Sequence, residues 1–207
     1  MENKLLNKIL EWSLCVLLAI IMALVIRYYI VTPSKVNQSS MIPTLQENER
    51  VIVSRIQRLT KKDYVRGQII VFQAPSNKVK LNLYNPIANY KSTLNGFVEN
   101  FIYNVLELNK KTYVKRIIGI AGDRVQIKDG KVYINGEVVE ENYLPYGTAT
   151  QNGIYNNIIV PDGCVYVLGD NRKESMDSRK FGCIPINKID GIVQFRYWPL
   201  NKLGKIR

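Results

Sequence analysis

Two polar stretches and one isolated lysine hold the residue types that nucleophilic chemistry requires. The first stretch contains two adjacent serines, Ser39 and Ser40, directly before Met41-Ile42-Pro43. The second, residues 169–179, is dense in polar side chains between two apolar runs, and Lys115 lies in another apolar run between these stretches. A serine hydroxyl becomes a good nucleophile when a neighbouring base removes its proton. These residues therefore predict a serine-based site, provided that the chain supplies a base.

The chain contains no histidine, and this absence narrows the chemistry. It excludes the Ser-His-Asp and Cys-His mechanisms, most catalytic zinc sites, and with them a sortase-like transpeptidase. Any hydrolase built from this sequence must use Lys, Asp, Glu or Tyr as its base.

Lys115 is the candidate base. It is followed directly by Arg116 in a predicted strand, so the two side chains face opposite sides and one of them should point inward. A lysine with an ordinary pKa near 10.4 is neutral in about one molecule in a thousand at physiological pH. Burial lowers that pKa, and a neutral amine can take the proton from a serine hydroxyl. A hydroxyl from residues 169–179 would orient the amine without fixing its charge.

An apolar run near the N-terminus predicts a membrane anchor. Residues 12–26 carry no charge, and residues 9–31 reach the roughly 20 residues that a bilayer requires if Glu11 and Arg27 lie at the interfaces. A cleavable signal peptide is the alternative, but the residues after Arg27 offer no small-x-small cleavage site. We therefore expect an uncleaved helix over 9–31, with an orientation that the flanking charges leave open.

The residues after the anchor, 32–207, have the pattern of a mainly β domain. Short β-branched and aromatic runs bounded by glycine and proline predict strands. They cover residues 51–53, 68–72, 113–120, 124–128, 131–134, 158–160, 164–168 and 191–197. The steps Asp129-Gly130 and Asn135-Gly136 are tight hairpin signals.

Residues 76–112 differ from the rest of the domain. The first half is irregular, whereas apolar residues between Phe97 and Leu108 recur at helical spacing. We expect an amphipathic helix that either packs on the domain or rests on the bilayer, with Lys110 and Lys111 toward the headgroups.

Charge and cysteine content limit the partners. With 29 Lys+Arg and 17 Asp+Glu the net charge is +12, which suits nucleic acid or anionic lipid. No nucleic-acid motif is present, so membrane phospholipids are the expected partner.

The cysteines allow one disulfide in the domain. Cys15 lies in the apolar run, which leaves Cys164 with Cys183 as the one pair that the domain could form; the sequence leaves that bond open.

Four stretches together resemble the conserved boxes of type I signal peptidases, membrane-anchored serine proteases with a Ser/Lys dyad. They are residues 38–45, 66–72, 113–123 and 169–179, and the last matches G-D-N-R-x-x-S-x-D-S-R at every defined position. The resemblance covers the anchor and most of the chain except about 76–111.

That resemblance implies a fold and a location. The fold would be mainly β, with a short cytoplasmic N-terminus (1–8), a single transmembrane helix and an extracytoplasmic domain of two mainly antiparallel β-sheet regions. Residues 76–112 would be an insertion and residues 125–161 a smaller β cap. The substrates would be exported preproteins with small residues at −3 and −1 of the cleavage site, bound near the secretion translocon. The chemistry would need no metal or cofactor.

The resemblance also implies a role for each matched position. Ser40 would be the nucleophile and Lys115 the general base, with Ser175 orienting the lysine. The backbone N–H of Ser40 and the Gln38 side chain would form the oxyanion hole. Two structural ion pairs would join Asp177 with Arg179 and Arg116 with Asp170. Shallow apolar pockets for the substrate would be lined by Val36, Met41, Leu45, Tyr113 and Val114.

The sequence departs from the family pattern at several positions. Gln38 stands where many members have a serine, and Ser39 where glycine or aspartate is common. Gln68 replaces the usual aspartate of its strand, and Ala121 a frequent proline. Two other functions remain as alternatives: a degenerate homologue that binds secretion components, and a Ser/Lys self-cleaving regulator, against which the anchor argues.

Overall fold

The computed structural model describes residues 2–60, 62–76, 85–90, 103, 105, 107 and 110–206. The chain begins with helix α1 (Glu2–Tyr29), in which Lys4–Tyr29 forms the one helix of the described residues that is long and apolar enough to cross a membrane, with a mean hydropathy of 2.7. At 1.5 Å per residue, the 28 residues of α1 span about 42 Å, more than the hydrocarbon core of a bilayer.

The predicted bounds of the anchor, 9–31, differ from those of the helix. The helix starts earlier, and it ends at Tyr29, so that Val31 is already the first residue of strand β1 (Val31–Lys35). The reason is local, because the β-branched residues 30–32 and the proline at position 33 favour extended backbone.

The larger sheet is antiparallel throughout and carries the residues of interest. Within the described residues, eight strands form it in the order β1-β2-β11-β3-β4-β9-β10, with β12 paired to β11. Besides β1, these strands are β2 (Arg50–Ser54), β3 (Ile69–Gln73), β4 (Thr112–Ile120), β9 (Cys164–Leu168), β10 (Ile184–Pro185), β11 (Ile189–Trp198) and β12 (Gly204–Lys205). Strand β4, which contains Lys115, lies between β3 and β9, so both of its edges are paired.

A second antiparallel sheet lies within the stretch expected as a smaller cap. Four strands of the described chain form it in the order β7-β6-β5-β8. Their bounds are Glu137–Val138 for β7, Lys131–Ile134 for β6, Arg124–Lys128 for β5 and Asn157–Ile159 for β8. Both predicted hairpin steps connect neighbouring strands here, and their Asn and Asp residues adopt the positive φ that such turns require.

The expected fold class, mainly β with two antiparallel sheet regions after an N-terminal helix, is confirmed. All eight predicted strands are present within two residues of their expected ends. Strands β1, β7, β10 and β12 were not predicted, and all but β1 are two residues long, too short to show a period. The helix expected between Phe97 and Leu108 lies outside the described residues except at 103, 105 and 107. The described chain also contains two short α-helices, α2 (Gln57–Thr60) and α3 (Ser178–Phe181).

Candidate active site

Ser40 is the middle residue of a short 3₁₀ turn, Ser39–Met41, which follows β1. The side chains of Met41 and Leu45 are buried in an apolar cluster on one side of the turn. From above, the Asn171 backbone N–H donates to the Ser40 carbonyl at 3.0 Å, and the Asn171 side-chain amide donates to the Ser39 carbonyl at 3.3 Å. The Ser40 hydroxyl is thus held on a turn that is fixed on two sides.

Lys115 reaches this hydroxyl from the centre of β4. Its ammonium nitrogen donates to Ser40 Oγ at 2.5 Å and to the Val114 carbonyl at 3.0 Å. The side chain is 1% exposed, and Ser40 is 7% exposed. Burial lowers the pKa of Lys115 to about 8, although the nearby carboxylates of Asp177 and Asp170 oppose part of that shift. The geometry selects Ser40 over Ser39 as the partner of the lysine, which the residue pattern alone did not.

Lys115 and Arg116 are both buried, whereas the strand pattern predicted that only one would point inward. They do face opposite sides, but the side of Arg116 is covered as well. The guanidinium makes hydrogen bonds of 3.0 and 2.8 Å to the Asp170 carboxylate and stacks on the Tyr143 ring, 3.9 Å from its centroid. A buried arginine is tolerated here because a charged partner and an aromatic face replace its water.

The segment 169–179 is braced by a second buried ion pair. Arg179 donates to both carboxylate oxygens of Asp177, at 2.8 and 2.7 Å, and also to the Arg172 carbonyl at 2.8 Å. The Asp177 carboxylate also accepts from the Gly169 backbone N–H at 3.1 Å. It accepts from the backbone N–H of Arg179 as well, so Asp177 is the N-cap residue of helix α3. The loop therefore closes on itself beside the Ser40 turn.

Ser175 is buried close to the Ser40 turn but makes no hydrogen bond to Lys115. Its Oγ has no hydrogen-bond partner among the described residues, so the expected bond to Lys115 is not formed in this structure. Gly169 separates Ser175 from Ser40: a Cβ built at Gly169 would collide with Ser175 Oγ and lie 2.5 Å from the Ser40 carbonyl oxygen. Glycine at this position is what allows both serines to approach.

A cleft of about 300 Å³ opens over the serine and the lysine. It is lined by Asn37, Gln38, Ser39, Ser40, Glu47, Tyr113, Lys115, Glu174 and Met176. Gln38 precedes the 3₁₀ turn with extended backbone and is exposed, and its side chain does not cap the turn.

The five residues expected to line substrate pockets are divided between the cleft and the core. Tyr113 lines the cleft. Val36, Met41 and Leu45 belong to the buried cluster behind the Ser40 turn, and Val114 packs against that cluster. These four residues form the apolar support of the turn in this structure rather than the wall of the open cleft.

Three contacts at the site were not foreseen from the sequence. Asn171 clamps the Ser40 turn, as described above. Thr44 donates to Asp170 at 2.5 Å and so joins the Arg116 ion pair. Arg172 forms a bidentate pair with Glu141, which ties the loop to the segment that contains the smaller sheet. None of these partners is close in sequence, so no local pattern could have revealed them.

The cysteines and the acidic side chains are the remaining candidates for a disulfide or a metal site. Cys164 and Cys183, the one pair that the sequence left open, are both free thiols, and burial raises the pKa of each. No group of three or more His, Cys, Asp or Glu side chains suited to a metal ion occurs among the described residues.

A family model and curated sequence relatives agree on one family. The family model "Signal peptidase, peptidase S26" matches residues 9–198. A protein named probable signal peptidase I-2 from Synechocystis sp. (strain ATCC 27184 / PCC 6803 / Kazusa) is 35% identical over 96% of this chain and 77% of its own length. Signal peptidase I of Bacillus amyloliquefaciens is 33% identical over 97% of this chain and 94% of its own. A crystal structure of a signal peptidase I from Enterococcus faecalis V583 is 26% identical, covers 63% of this chain and 97% of its own, and has a TM-score of 0.42.

Proposed function

The chain belongs to the peptidase S26 family of signal peptidases, serine endopeptidases that remove signal peptides, and from this premise we propose which residues perform the cleavage. Ser40 is the nucleophile and Lys115 is the general base. The observation that carries this assignment is the 2.5 Å separation of Ser40 Oγ and Lys115 Nζ in a buried setting, a distance suited to proton transfer.

The lowered pKa of Lys115 supports its role as the base. With a pKa of about 8, roughly one lysine in ten is neutral at pH 7, against roughly one in three thousand at the ordinary value of 10.5. The neutral amine takes the Ser40 proton as the oxygen attacks the scissile carbonyl. The resulting ammonium then gives this proton to the leaving amine, and the acyl-enzyme remains. Water attacks the ester with the same lysine as base, which frees Ser40.

The oxyanion of each tetrahedral intermediate is stabilised by the Ser40 backbone N–H together with the Gln38 side-chain amide. Ser40 lies in the first turn of a 3₁₀ helix, where backbone N–H groups lack partners within the helix. Gln38 is exposed and lines the cleft, and its side chain carries two donors. A donor of this kind contributes roughly 3–4 kcal/mol to the transition state.

The remaining residues support the pair. Two buried ion pairs hold the loop 169–179 in place beside β4: Asp177 with Arg179 within the loop, and Arg116 of β4 with Asp170 of the loop. The buried hydroxyl of Ser175 has no hydrogen-bond partner among the described residues. It is therefore free to bond to Lys115 and orient its amine once a substrate has closed the cleft. Tyr113 lines the recess that accepts small side chains at −3 and −1. Behind it, the buried cluster that contains Val36, Met41 and Leu45, with Val114 packed on it, supports the Ser40 turn.

The substrate reaches the cleft as an extended segment of an exported preprotein. The helix α1 holds the catalytic domain on the extracytoplasmic face of the membrane, against phospholipid headgroups and near the secretion translocon. A net charge of +12 favours contact with anionic lipid.

The assignment is tested with Ser40→Ala, Lys115→Ala and the matched control Ser39→Ala, each purified in detergent and assayed on a preprotein. Ser40→Ala and Lys115→Ala should abolish cleavage while circular dichroism shows that both variants stay folded. Ser39→Ala should keep most of the activity, because the Ser40 hydroxyl is the one that contacts the lysine. Full activity in Ser40→Ala with loss in Ser39→Ala would make the nucleophile assignment wrong.

A further inference from the structure

The C-terminal end of helix α1 is capped by two arginines from the catalytic domain. The last carbonyls of a helix have no partner within the helix, and this end carries partial negative charge. Here the Arg27 carbonyl accepts from the Arg55 guanidinium at 3.0 Å, and the Tyr28 carbonyl accepts from the Arg58 guanidinium at 2.9 Å. The Arg55 backbone N–H donates to the Ile30 carbonyl at 2.8 Å.

Both arginines are themselves fixed by carboxylates. Arg55 is buried and pairs with Glu107, which also lies 3.5 Å from Arg27. Arg58 donates to Asp190 of β11 at 3.2 Å, and its guanidinium lies 4.8 Å from the centroid of the Tyr28 ring. The end of the apolar helix is therefore tied to the catalytic domain through two arginines that are each paired with a carboxylate.

The connection from the helix to Ser40 is also short and paired. Ile30 alone separates α1 from β1, and β1 pairs with β2 along its whole length, from Val31 with Ser54 to Lys35 with Arg50. A strand of five residues spans about 17 Å, and three residues later the Ser39–Met41 turn begins. A paired strand rather than a flexible linker thus joins the anchor to the nucleophile.

We propose that Arg55 and Arg58 are positioning residues that lock helix α1 to the sheet and so set the height of Ser40 above the membrane surface. This inference rests on the proposed function, since it concerns a substrate that is itself held in the membrane by its signal peptide. When helix α1 is fixed to the sheet, the cleft stays at one distance from the bilayer. The cleavage site of a membrane-held substrate lies at that distance. A soluble peptide has no such constraint, because it can reach the cleft at any height.

The test compares two substrates in the same vesicles: a full-length preprotein inserted in the bilayer and a soluble peptide with the same cleavage site. Arg58→Met is the suitable variant, because Asp190 keeps Lys110 as its ion-pair partner and no carboxylate is left unpaired. A misplacement of about 1 Å can lower a rate by on the order of a hundredfold. We expect kcat/KM on the inserted preprotein to fall by about tenfold or more and kcat/KM on the peptide to stay within about twofold.

Two further variants serve as controls. Arg58→Lys restores a cation at the helix end and should recover most of the loss on the inserted substrate. Arg196→Met removes an arginine of matched exposure, 22% against 21% for Arg58, whose partner Glu49 likewise keeps a lysine, Lys202. Its effect should be the same on both substrates, since the Arg196 guanidinium bonds to Glu49, Thr44 and Lys202 rather than to α1, and Arg196 lies near the opposite end of β11 from Asp190.

A second perturbation lengthens the short covalent connection between α1 and β1, which sets the height of Ser40 together with the two arginines, and it removes no charge. Inserting Gly-Ser-Gly-Ser between Tyr29 and Ile30 should give the same selective loss on the inserted preprotein. An equal loss on both substrates in Arg58→Met and in the insertion variant would overturn the positioning role and leave a structural one. If wild type cleaved neither substrate, the proposed function itself would fail, so the two failures are distinguishable.

Discussion

Replacing Lys115 by methionine should abolish activity. At neutral pH it should also raise the free energy of unfolding, because it removes a buried charge. The lysine is buried, and its pKa in the folded chain is about 8 against 10.5 for an ordinary lysine. At pH 7 the amine is largely charged in both the folded and the unfolded chain, so the folded state bears the full cost of burying the charge. At about 1.36 kcal/mol for each pH unit between the two pKa values, this cost is about 3 kcal/mol.

The sign of the pH dependence follows from which state holds the proton. Below pH 8 both states hold it, and the wild-type cost is constant. Between pH 8 and 10.5 the folded chain releases the proton of Lys115 while the unfolded chain keeps it, so wild-type stability rises with pH relative to Lys115→Met. The difference in the free energy of unfolding between variant and wild type should therefore shift by about 2 kcal/mol from pH 7 to pH 9.5.

The assay is urea unfolding of both full-length proteins in the same detergent, followed by tryptophan fluorescence at several pH values between 7 and 9.5. Subtracting the two curves removes the titration of all other groups. Lys131→Met is the control, because Lys131 of β6 is exposed and its replacement makes the same change of side chain without removing a buried amine. A difference for Lys115→Met that did not change between pH 7 and 9.5 would refute the view that burial favours the neutral amine, and with it the physical basis of Lys115 as the base.

Three more predictions concern the same site. The value of kcat/KM on a soluble peptide should rise about tenfold per pH unit below pH 8 and level off above it, since only the neutral Lys115 accepts a proton; a profile that is flat from pH 6 to 9 would contradict this. Gly169→Ala should lower kcat by about tenfold or more, because the new Cβ pushes against the Ser40 carbonyl; unchanged kcat would show that the turn yields. Asp177→Asn should lower the free energy of unfolding by about 3–5 kcal/mol in urea titrations, because it leaves Arg179 buried without a charged partner, and a loss below about 1 kcal/mol would contradict that.

Much of the fold was predictable because its signals are local. Strands β5, β6 and β9 have the bounds that their β-branched runs predicted. The Asp129-Gly130 step marks the turn from β5 to β6, and the Asn135-Gly136 step marks the turn from β6 to β7. Strand β1 was missed because its five residues, Val31–Lys35, include a proline and do not alternate clearly between apolar and polar residues. It forms because β2 offers an unpaired edge, a property of the sheet and not of the segment.

The features of the site likewise fall into those that the sequence determined and those that only the tertiary structure decided. The composition by itself excluded a histidine base and left Lys, Asp, Glu or Tyr for that role, and the position of Lys115 and Arg116 in an apolar strand predicted that one of the two points inward. Only the tertiary structure decided that Ser40 meets the lysine, that Asn171 clamps the serine turn and that Arg58 caps the anchor helix. The partners in the first two of these contacts are 75 and 132 residues apart. Such contacts depend on the register of paired strands and on how loops pack across them, and neither is encoded in any short window of sequence.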